Sequence, residues 1–342
     1  MYIRNTWYAA AWSREVGRSL LARTYLNEPV LLYRKEDGTP VAIQDRCCHR
    51  RLPLSFGTLI GDTVQCGYHG FIFDATGQCV SIPNQDFVPE QAMIRAFPLA
   101  ERYGLVWIWM GDPAMADPSA IPDFSILEDP RQAWKGTYMK AKAHYQLMND
   151  NLNDLSHLTF VHGTTIGNYA TALADITIEQ GDDFVRQTRW MIDRPPPPTY
   201  KRLGGFQGNV DRWQIVTFRP PCFTWLHTGG ADTGTGAPQG HRKGGIGLWN
   251  VNAITPETDK SSHYFWAQTH DMHIDDPTVT ESLFNDIHTA FSQDLVVFEA
   301  QQNSIDLAPD EAEISCKADR AQLITRRLVR IALEREHAAL AD

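Results

Sequence analysis

The stretch DRCCHRRLPLSFGTLIGDTVQCGYHGF, residues 45–71, contains three of the chain's six cysteines. Cys47 and His49 form a C-x-H pair, and Cys66 and His69 form a C-x-x-H pair after sixteen intervening residues. Each pair lies in a turn-like segment beside strand signals. Two loops at the tip of a small β domain can therefore bring the four side chains together while the sheet holds them rigidly.

Two thiolates and two imidazoles suit either tetrahedral zinc or a [2Fe–2S] cluster with mixed ligands. Classical zinc fingers pair cysteine with cysteine and histidine with histidine, whereas here each loop supplies one of each. This alternation favours a cluster in which two sulfurs bind one iron and two imidazoles bind the other. Cys48 is predicted to be a small packing residue, because it adjoins His49 and adjacent side chains usually point apart. The other three cysteines are predicted to be buried thiols: Cys79, Cys222 and Cys316.

The composition limits the classes of function. The chain has 342 residues, enough for two domains, and 41 acidic against 31 basic residues give a net charge of −10. Such a chain is a poor nucleic-acid binder, because phosphate contacts require a basic surface. The N-terminus does not resemble a secretory signal, and no window approaches eighteen apolar residues. We therefore expect a cytoplasmic protein without a membrane span, in which clustered cysteine and histidine indicate metal binding or catalysis.

The pattern of secondary-structure signals divides the chain. Residues 1–112 are dense in short strand signals and predict a small antiparallel sandwich or barrel. Residues 111–124, rich in Pro, Asp and Ala, form the candidate linker. Beyond it, strands alternate with helices, which predicts an α+β domain containing a large antiparallel sheet.

Several segments of the second part carry more specific predictions. A helix is expected over 144–161, and a long helix after Asp276, whose side chain can cap it. Residues 194–205 are expected to be irregular, since four prolines remove four backbone donors. The glycine-rich segment 229–247 is expected to be a long loop between strands, and a last amphipathic helix covers about 317–340.

A second group of polar residues lies in NDNLNDLSHLTFVHG, residues 149–163. Asn151, Asp154 and His157 are spaced three apart and would share one face of a helix. His162 follows five residues after His157, too far round an ideal helix for both to bind one metal, so the helix must end or distort between them. Two histidines with one carboxylate would form the facial triad of non-haem Fe(II), which leaves positions open for O₂.

The motif C-x-H-x16-C-x2-H, followed about 80 residues later by N-x2-D-x2-H-x4-H, resembles the Rieske non-haem iron aromatic-ring oxygenases. The resemblance covers nearly the whole chain and favours the vanillate O-demethylase, toluenesulfonate methyl-monooxygenase and dicamba O-demethylase type. Two departures are Cys48, often proline in the family, and Phe71, often tryptophan. The resemblance implies an all-β Rieske [2Fe–2S] domain at 1–112 and a helix-grip catalytic domain at 113–342.

The resemblance also implies roles for individual residues. Asp294, in FSQDLVVFEA, matches the family's third iron ligand beside His157 and His162. Asp154, and with it Asn151, is implied to act in catalysis, with Asp154 linking His69 of a neighbouring subunit to His157. Such a link runs head to tail between chains, so a C3 homotrimer is expected.

The implied function is the terminal oxygenase of a monooxygenase system. It would use O₂ and electrons from a separate NAD(P)H-dependent flavin and iron–sulfur reductase, since the chain lacks a dinucleotide fingerprint of its own. The reaction would be O-demethylation or methyl hydroxylation of a substituted aromatic acid. The alternatives are a ring-hydroxylating dioxygenase and, in another class, a non-catalytic Rieske electron carrier. Four donors are candidates for binding the substrate's anionic group: His227, Asn250, Asn252 and Arg202.

Overall fold

The chain forms two compact units in a computed structural model, which describes residues 1–163, 166–167, 169–242 and 244–341. One unit comprises residues 2–122 together with 255–259, and the other comprises residue 1, 123–254 and 260–342. The chain leaves the first unit after Pro122, at the end of the candidate linker. The boundary expected at 112/113 stays a prediction.

The first unit is built from three small antiparallel sheets, with strand orders β1-β10-β9, β2-β3-β4 and β5-β6-β7-β8. The strands are β1 (Trp7–Trp12), β2 (Leu21–Tyr25), β3 (Glu28–Arg34), β4 (Pro40–Gln44), β5 (Thr58–Ile60), β6 (Thr63–Gln65), β7 (Ile72–Phe73), β8 (Cys79–Ser81), β9 (Leu99–Arg102) and β10 (Leu105–Trp109). Buried side chains of the second and third sheets share a core with Cys47 and Cys66. The buried side chains of these strands thus hold the two cysteine loops on a packed base.

The second unit is an α+β domain around a seven-stranded antiparallel sheet, ordered β11-β17-β16-β15-β14-β13-β12. Its strands are β11 (Ala133–Ala141), β12 (Ile176–Gln180), β13 (Val185–Arg194), β14 (Val210–Arg219), β15 (Phe223–Asp232), β16 (Ile246–Thr258) and β17 (Ser261–His270). Its helices are α1 (Tyr145–Leu152), α2 (Leu158–Val161), α3 (Tyr169–Leu173), α4 (Pro198–Gly204), α5 (Pro277–Leu307) and α6 (Arg320–Ala341). The N-terminal all-β and C-terminal mixed architectures confirm the predicted fold class.

Helix α5 packs on strands β11 and β17. It begins as the sequence predicts, with Asp276 accepting a hydrogen bond from the Thr278 backbone N–H and Pro277 in the first turn. None of the described helices is long and apolar enough to cross a membrane.

Three segments differ from the sequence prediction. The helix expected over 144–161 ends at Leu152, because the Asn153 side chain donates to the Asn149 carbonyl and Asp154 caps a new turn. The run expected to be irregular includes α4, which starts at Pro198, where a missing N–H removes no helical bond. The expected loop 229–247 is shorter, since β15 continues to Asp232.

Candidate functional sites

The two cysteine loops of the first unit have the same backbone design. The Cys47 N–H donates to the Leu52 carbonyl at 2.9 Å, and the Cys66 N–H donates to the Phe71 carbonyl at 2.8 Å. In each loop the residue four after the cysteine donates back to the cysteine carbonyl, and it has a left-handed φ of 63° at Arg51 and 75° at Gly70. The loops therefore present their cysteines and histidines in matching positions.

In these two loops the cysteine side chains are buried and the histidine side chains are exposed. Cys47 and Cys66 are each 2% exposed, and their thiols lie within hydrogen-bonding distance of each other. Burial raises the pKa of the Cys47 thiol to about 11. His49 and His69 are exposed, with ring centroids 4.5 Å apart. This arrangement, two thiols inside and two imidazoles outside, fits the mixed ligation of a Rieske [2Fe–2S] cluster, whose iron would deprotonate the thiols.

Two of the cysteine predictions are wrong. Cys48 is exposed rather than packed in the core, since the loop that buries Cys47 turns the next side chain outward. Cys316 is also exposed, because it precedes a 3-10 turn on the surface. Cys79 and Cys222 are buried as expected.

The second unit brings His157, His162 and Asp294 together, with one ligand atom from each within 4.8 Å of the others. His162 Nε2 lies 3.1 Å and His157 Nε2 lies 3.7 Å from Asp294 Oδ1. The histidines come from the short helical turns after α1, and Asp294 comes from the middle of α5. His162 and Asp294 are almost completely buried.

Hydrogen bonds orient both imidazoles towards the centre of this group. His157 Nδ1 contacts the Asp154 carbonyl at 2.5 Å, and His162 Nδ1 contacts Gln293 Oε1 at 2.8 Å. With the Nδ1 atom of each ring occupied by this contact, Nε2 is the ring atom that faces Asp294 and is left to bind a metal. This donor set, two Nε2 atoms and one carboxylate, fits the facial triad of non-haem Fe(II). Gln293 was not identified from the sequence.

Local charge and burial act differently on the two histidines. Burial lowers the pKa of His157, although the neighbouring Asp294 charge opposes this effect. Burial is also the largest single effect on His162 and acts to lower its pKa, but the hydrogen bond to Asp294, the negative charge of Asp294 and the hydrogen bond to Gln293 together outweigh burial, so the pKa of His162 is raised. A proton and a metal ion therefore compete for His162 Nε2.

Asn151 and Asp154 adjoin the group. The sequence predicts that they share one helical face with His157, but they do not, because α1 ends at Leu152, between Asn151 and Asp154. The Asn151 side-chain amide donates to Asp294 Oδ1 at 3.2 Å. The Asp154 carboxylate accepts from the Ser156 N–H and hydroxyl, both at 2.9 Å, and lies 3.7 Å from the buried Arg189 guanidinium. Its contact with His157 is made by the backbone carbonyl rather than by the carboxylate.

A cavity that opens to solvent lies in the second unit, and the non-atom space in it, counting solvent at its mouth, is about 530 Å³. It is lined by Leu155, Leu158, Ile166, Thr199, Tyr200, Arg212, Gln214, Leu226, Thr228, Leu248, Asn250, Gln268, Leu283, Ile287 and Phe291. Leu155 and Leu158 flank His157 in the chain, and Phe291 lies one helical turn before Asp294, so the cavity adjoins the three-residue group. Its mostly apolar wall with a few polar groups is typical of a small-molecule site.

The four predicted substrate donors are placed differently. Asn250 lines the cavity, whereas Asn252 is buried in a network with the Asn250 side chain, the Thr224 carbonyl and the Tyr264 hydroxyl. Asn252 therefore has its bonds within the protein.

The predictions for His227 and Arg202 do not fit the structure. His227 lies between the cavity-lining Leu226 and Thr228, so strand alternation points it to the opposite face, where it stacks on Trp249 with ring centroids 4.2 Å apart. Arg202 lies on α4 and pairs with Asp286 and Ser282 of α5. It fastens α4 over the cavity instead of lining it.

Comparison with known proteins gives matches over both units. The family model for the Rieske [2Fe–2S] domain matches residues 6–96, and that for the vanillate O-demethylase oxygenase C-terminal domain matches 141–335. The chain is 41% identical over 324 residues to the toluene-4-sulfonate monooxygenase system iron–sulfur subunit of Comamonas testosteroni, covering 93% of each chain. It is 36% identical over 303 residues to the dicamba O-demethylase oxygenase component of Stenotrophomonas maltophilia, covering 87% of this chain and 88% of that one.

Solved structures show the same similarity. The crystal structure of dicamba monooxygenase bound to 3,6-dichlorosalicylic acid matches with a TM-score of 0.90 and 33% identity, covering 100% of this chain and 99% of that one. A further structure of dicamba monooxygenase, with non-haem iron and dicamba, matches with a TM-score of 0.80 and 31% identity over 99% of each chain.

Proposed function

The chain belongs to the Rieske non-haem iron oxygenases of the vanillate O-demethylase type, and on this premise we propose that it oxidises the methyl group of a substituted aromatic acid. It is an oxidoreductase, the oxygenase component of a Rieske monooxygenase system. Its cofactors are a [2Fe–2S] cluster and a mononuclear iron, and O₂ is the co-substrate. When bound, the cluster supplies electrons and the mononuclear iron activates O₂.

We assign the cluster ligands to Cys47, His49, Cys66 and His69, and the iron ligands to His157, His162 and Asp294. The observation that carries the proposal is that the group of His157, His162 and Asp294 adjoins an apolar cavity. Leu155, Leu158 and Phe291 belong to the cavity wall and lie within three residues of His157 or Asp294 in the chain, so a methyl group bound there would lie near the metal position. Asn151 orients the Asp294 carboxylate, and Gln293 orients His162.

The proposed reaction is hydroxylation of a methyl C–H bond with an oxygen atom from O₂, while the other oxygen atom leaves as water. The two electrons and two protons come from a separate NAD(P)H-dependent reductase and from solvent. On an aryl methyl ether the product is a hemiacetal that breaks down to a phenol and formaldehyde, whereas on an aryl methyl group it is a benzylic alcohol. The relatives named for toluene-4-sulfonate and dicamba support a ring that carries an acid group.

We further propose that electrons pass between subunits of a head-to-tail C3 trimer, from the exposed His69 of one subunit through Asp154 of the next to His157. The support is the exposure of His69 and the contact between the Asp154 carbonyl and His157 Nδ1. Asp154→Asn removes the carboxylate charge and should slow reoxidation of the cluster by O₂ and substrate. A rate equal to that of the wild type would rule out a role of the Asp154 carboxylate in this route.

The test of function is a product screen with the purified protein, a reductase and a panel of methoxy- and methyl-substituted benzoates and benzenesulfonates. Formaldehyde or a benzylic alcohol is expected. A cis-dihydrodiol would instead support a ring-hydroxylating dioxygenase, and reduction of the cluster without any organic product would support an electron carrier.

We also propose a cytoplasmic location and a role in the breakdown of aromatic compounds. None of the six cysteines, all of which lie in the described part of the chain, forms a disulfide, as is usual in a reducing compartment. Cell fractionation tests the location. The protein and its cluster absorbance are expected in the cytoplasmic fraction.

A further inference from the structure

Strand β14 places an arginine inside the cavity of the second unit. Arg212 is 2% exposed and lines the cavity together with Tyr200 and Gln214. Its Nη2 donates to the Ile166 carbonyl at 3.3 Å, and its Cζ lies 4.8 Å from the centre of the Tyr200 ring. The guanidinium is therefore held in one orientation by a backbone carbonyl and an aromatic ring.

The other donors of Arg212 are open. Among the described residues, neither its Nε nor its Nη1 has a hydrogen-bond acceptor, and no carboxylate forms an ion pair with it. A buried guanidinium without an anion is costly, because both its charge and its N–H groups have left water. By contrast, the buried Arg189 has the Asp154 carboxylate 3.7 Å away. The cavity thus contains a fixed positive charge that lacks an internal counter-ion.

We propose that Arg212 binds the carboxylate or sulfonate of the aromatic substrate and makes the enzyme specific for anionic rings. This inference rests on the proposed function, which requires an acid substrate, and it replaces Arg202 and His227 as the anion-binding donors. An anionic oxygen accepts hydrogen bonds from the open guanidinium nitrogens, and the apolar wall holds the ring. Arg212 is a specificity-determining residue, because it contacts a part of the substrate that does not react.

The strand also determines which end of the substrate faces the metal group. Arg212, Gln214 and Val216 point to the same face of β14, and Val216 packs against Leu155 and Leu158, beside His157. A rise of about 3.3 Å per residue separates the Cα atoms of Arg212 and Val216 by about 13 Å. This spacing leaves room for the anionic group and the oxidised methyl group at opposite ends of the ring, so we expect para substitution to be preferred over ortho.

Equilibrium binding tests the proposal. Dissociation constants are measured by calorimetry, under anaerobic conditions, for the iron-loaded protein with 4-methylbenzoate and with its uncharged isostere 4-methylbenzamide. The wild type should prefer the acid, and Arg212→Met should reduce this preference by about ten- to a hundredfold while binding of the amide changes little. The matched control is Arg219→Met, at an exposed position of the same strand, which should keep the wild-type preference.

Three outcomes would overturn the proposal. The first is a wild type that does not distinguish the acid from the amide, a measurement that needs no variant. The second is an Arg212→Met protein that loses both ligands equally or neither, and the third is a wild type that prefers 2-methylbenzoate. If Arg212→Met does not fold, Arg212→Lys, which keeps the charge but loses the planar fork, should show a smaller loss for the acid alone. Failure of the proposed function would appear separately, as absence of oxidised product from an acid that binds.

Discussion

The two pairs of histidines in this chain lie in different surroundings, although the His157 side chain is itself 20% exposed. His49 and His69 are exposed at the surface of the first unit, whereas His162 is 1% exposed and the side chain of Asp294, against which His157 and His162 lie, only 4%. An exposed imidazole on a cluster can meet a partner, and a buried one keeps water from the place where O₂ reacts. The difference suggests a division of tasks within one chain: exposed histidines suit the delivery of electrons, and buried histidines suit their use at the site where O₂ reacts.

The largest effect in this comparison should come from Cys66→Ser. Serine does not supply a thiolate, so the cluster should be lost, its visible absorbance should disappear and iron should fall from about three atoms to about one per chain. The control is Cys48→Ser, which changes an exposed thiol one residue from Cys47 and should keep the cluster. A Cys66→Ser protein with an unchanged spectrum would show that the buried thiol pair does not hold the cluster.

Asp294→Ala should have the reverse effect: the mononuclear iron should be lost while the cluster is kept. Without the carboxylate the mononuclear iron should be lost, so iron falls from about three atoms to about two per chain while the cluster spectrum stays unchanged. Metal analysis and absorbance of the same sample measure both. The matched variant Asp306→Ala, on the exposed end of α5, should keep the iron, and loss of the cluster in Asp294→Ala would contradict the separation.

Gln293→Leu should weaken the buried site without removing a ligand. Because Gln293 Oε1 accepts the Nδ1 proton of His162, its loss frees the ring to rotate and should lower iron affinity by about ten- to a hundredfold. Competition with a chelator measures the affinity. Gln301→Leu, at an exposed position of the same helix, should behave like the wild type, and an equal loss there would assign the effect to the helix rather than to His162.

The smallest effects should distinguish the two cysteine loops. Arg51 has a left-handed φ of 63°, so Arg51→Gly should stabilise the first unit by about 0.5–1 kcal/mol, the relief of strain less the added freedom of the unfolded chain. Gly70→Ala should destabilise it, because its Cβ would lie 2.9 Å from Pro83 Cγ and its φ is 75°. Urea midpoints followed by cluster absorbance should therefore shift in opposite directions, and a shared sign would show that the loops are not equivalent.

The sequence revealed the two sites unequally, for a physical reason. The four proposed cluster ligands lie within residues 47–69, and their spacing in two loops is a local property of the sequence. Asp294 was available only through a resemblance, since α5 also contains Asp286, Glu299 and Asp306, and nothing local shows which acid faces the histidines. Tertiary packing makes that choice.

The substrate cavity was the least predictable part. His227 was chosen by residue type, but in a strand with polar residues on both faces the inward side is fixed by the sheet's neighbours. The alternation in VDRWQIV does place Arg212 and Gln214 on one face of β14. It does not show whether that face points into the cavity. The helix break at Asn153 was missed because its cause, side chains that bond to the backbone, competes with helix formation over a few residues only.

The length of α5 gives the molecule a property relevant to its evolution. Leu283, Ile287 and Phe291 line the cavity, and Gln293 and Asp294 follow on the same helix. Exchange of the three apolar side chains can change which rings fit without moving the carboxylate. Deletion of one residue between Phe291 and Asp294, however, would turn the carboxylate by about 100°. New substrates should therefore arise in this lineage through substitutions in α5, while insertions and deletions collect in the connecting loops.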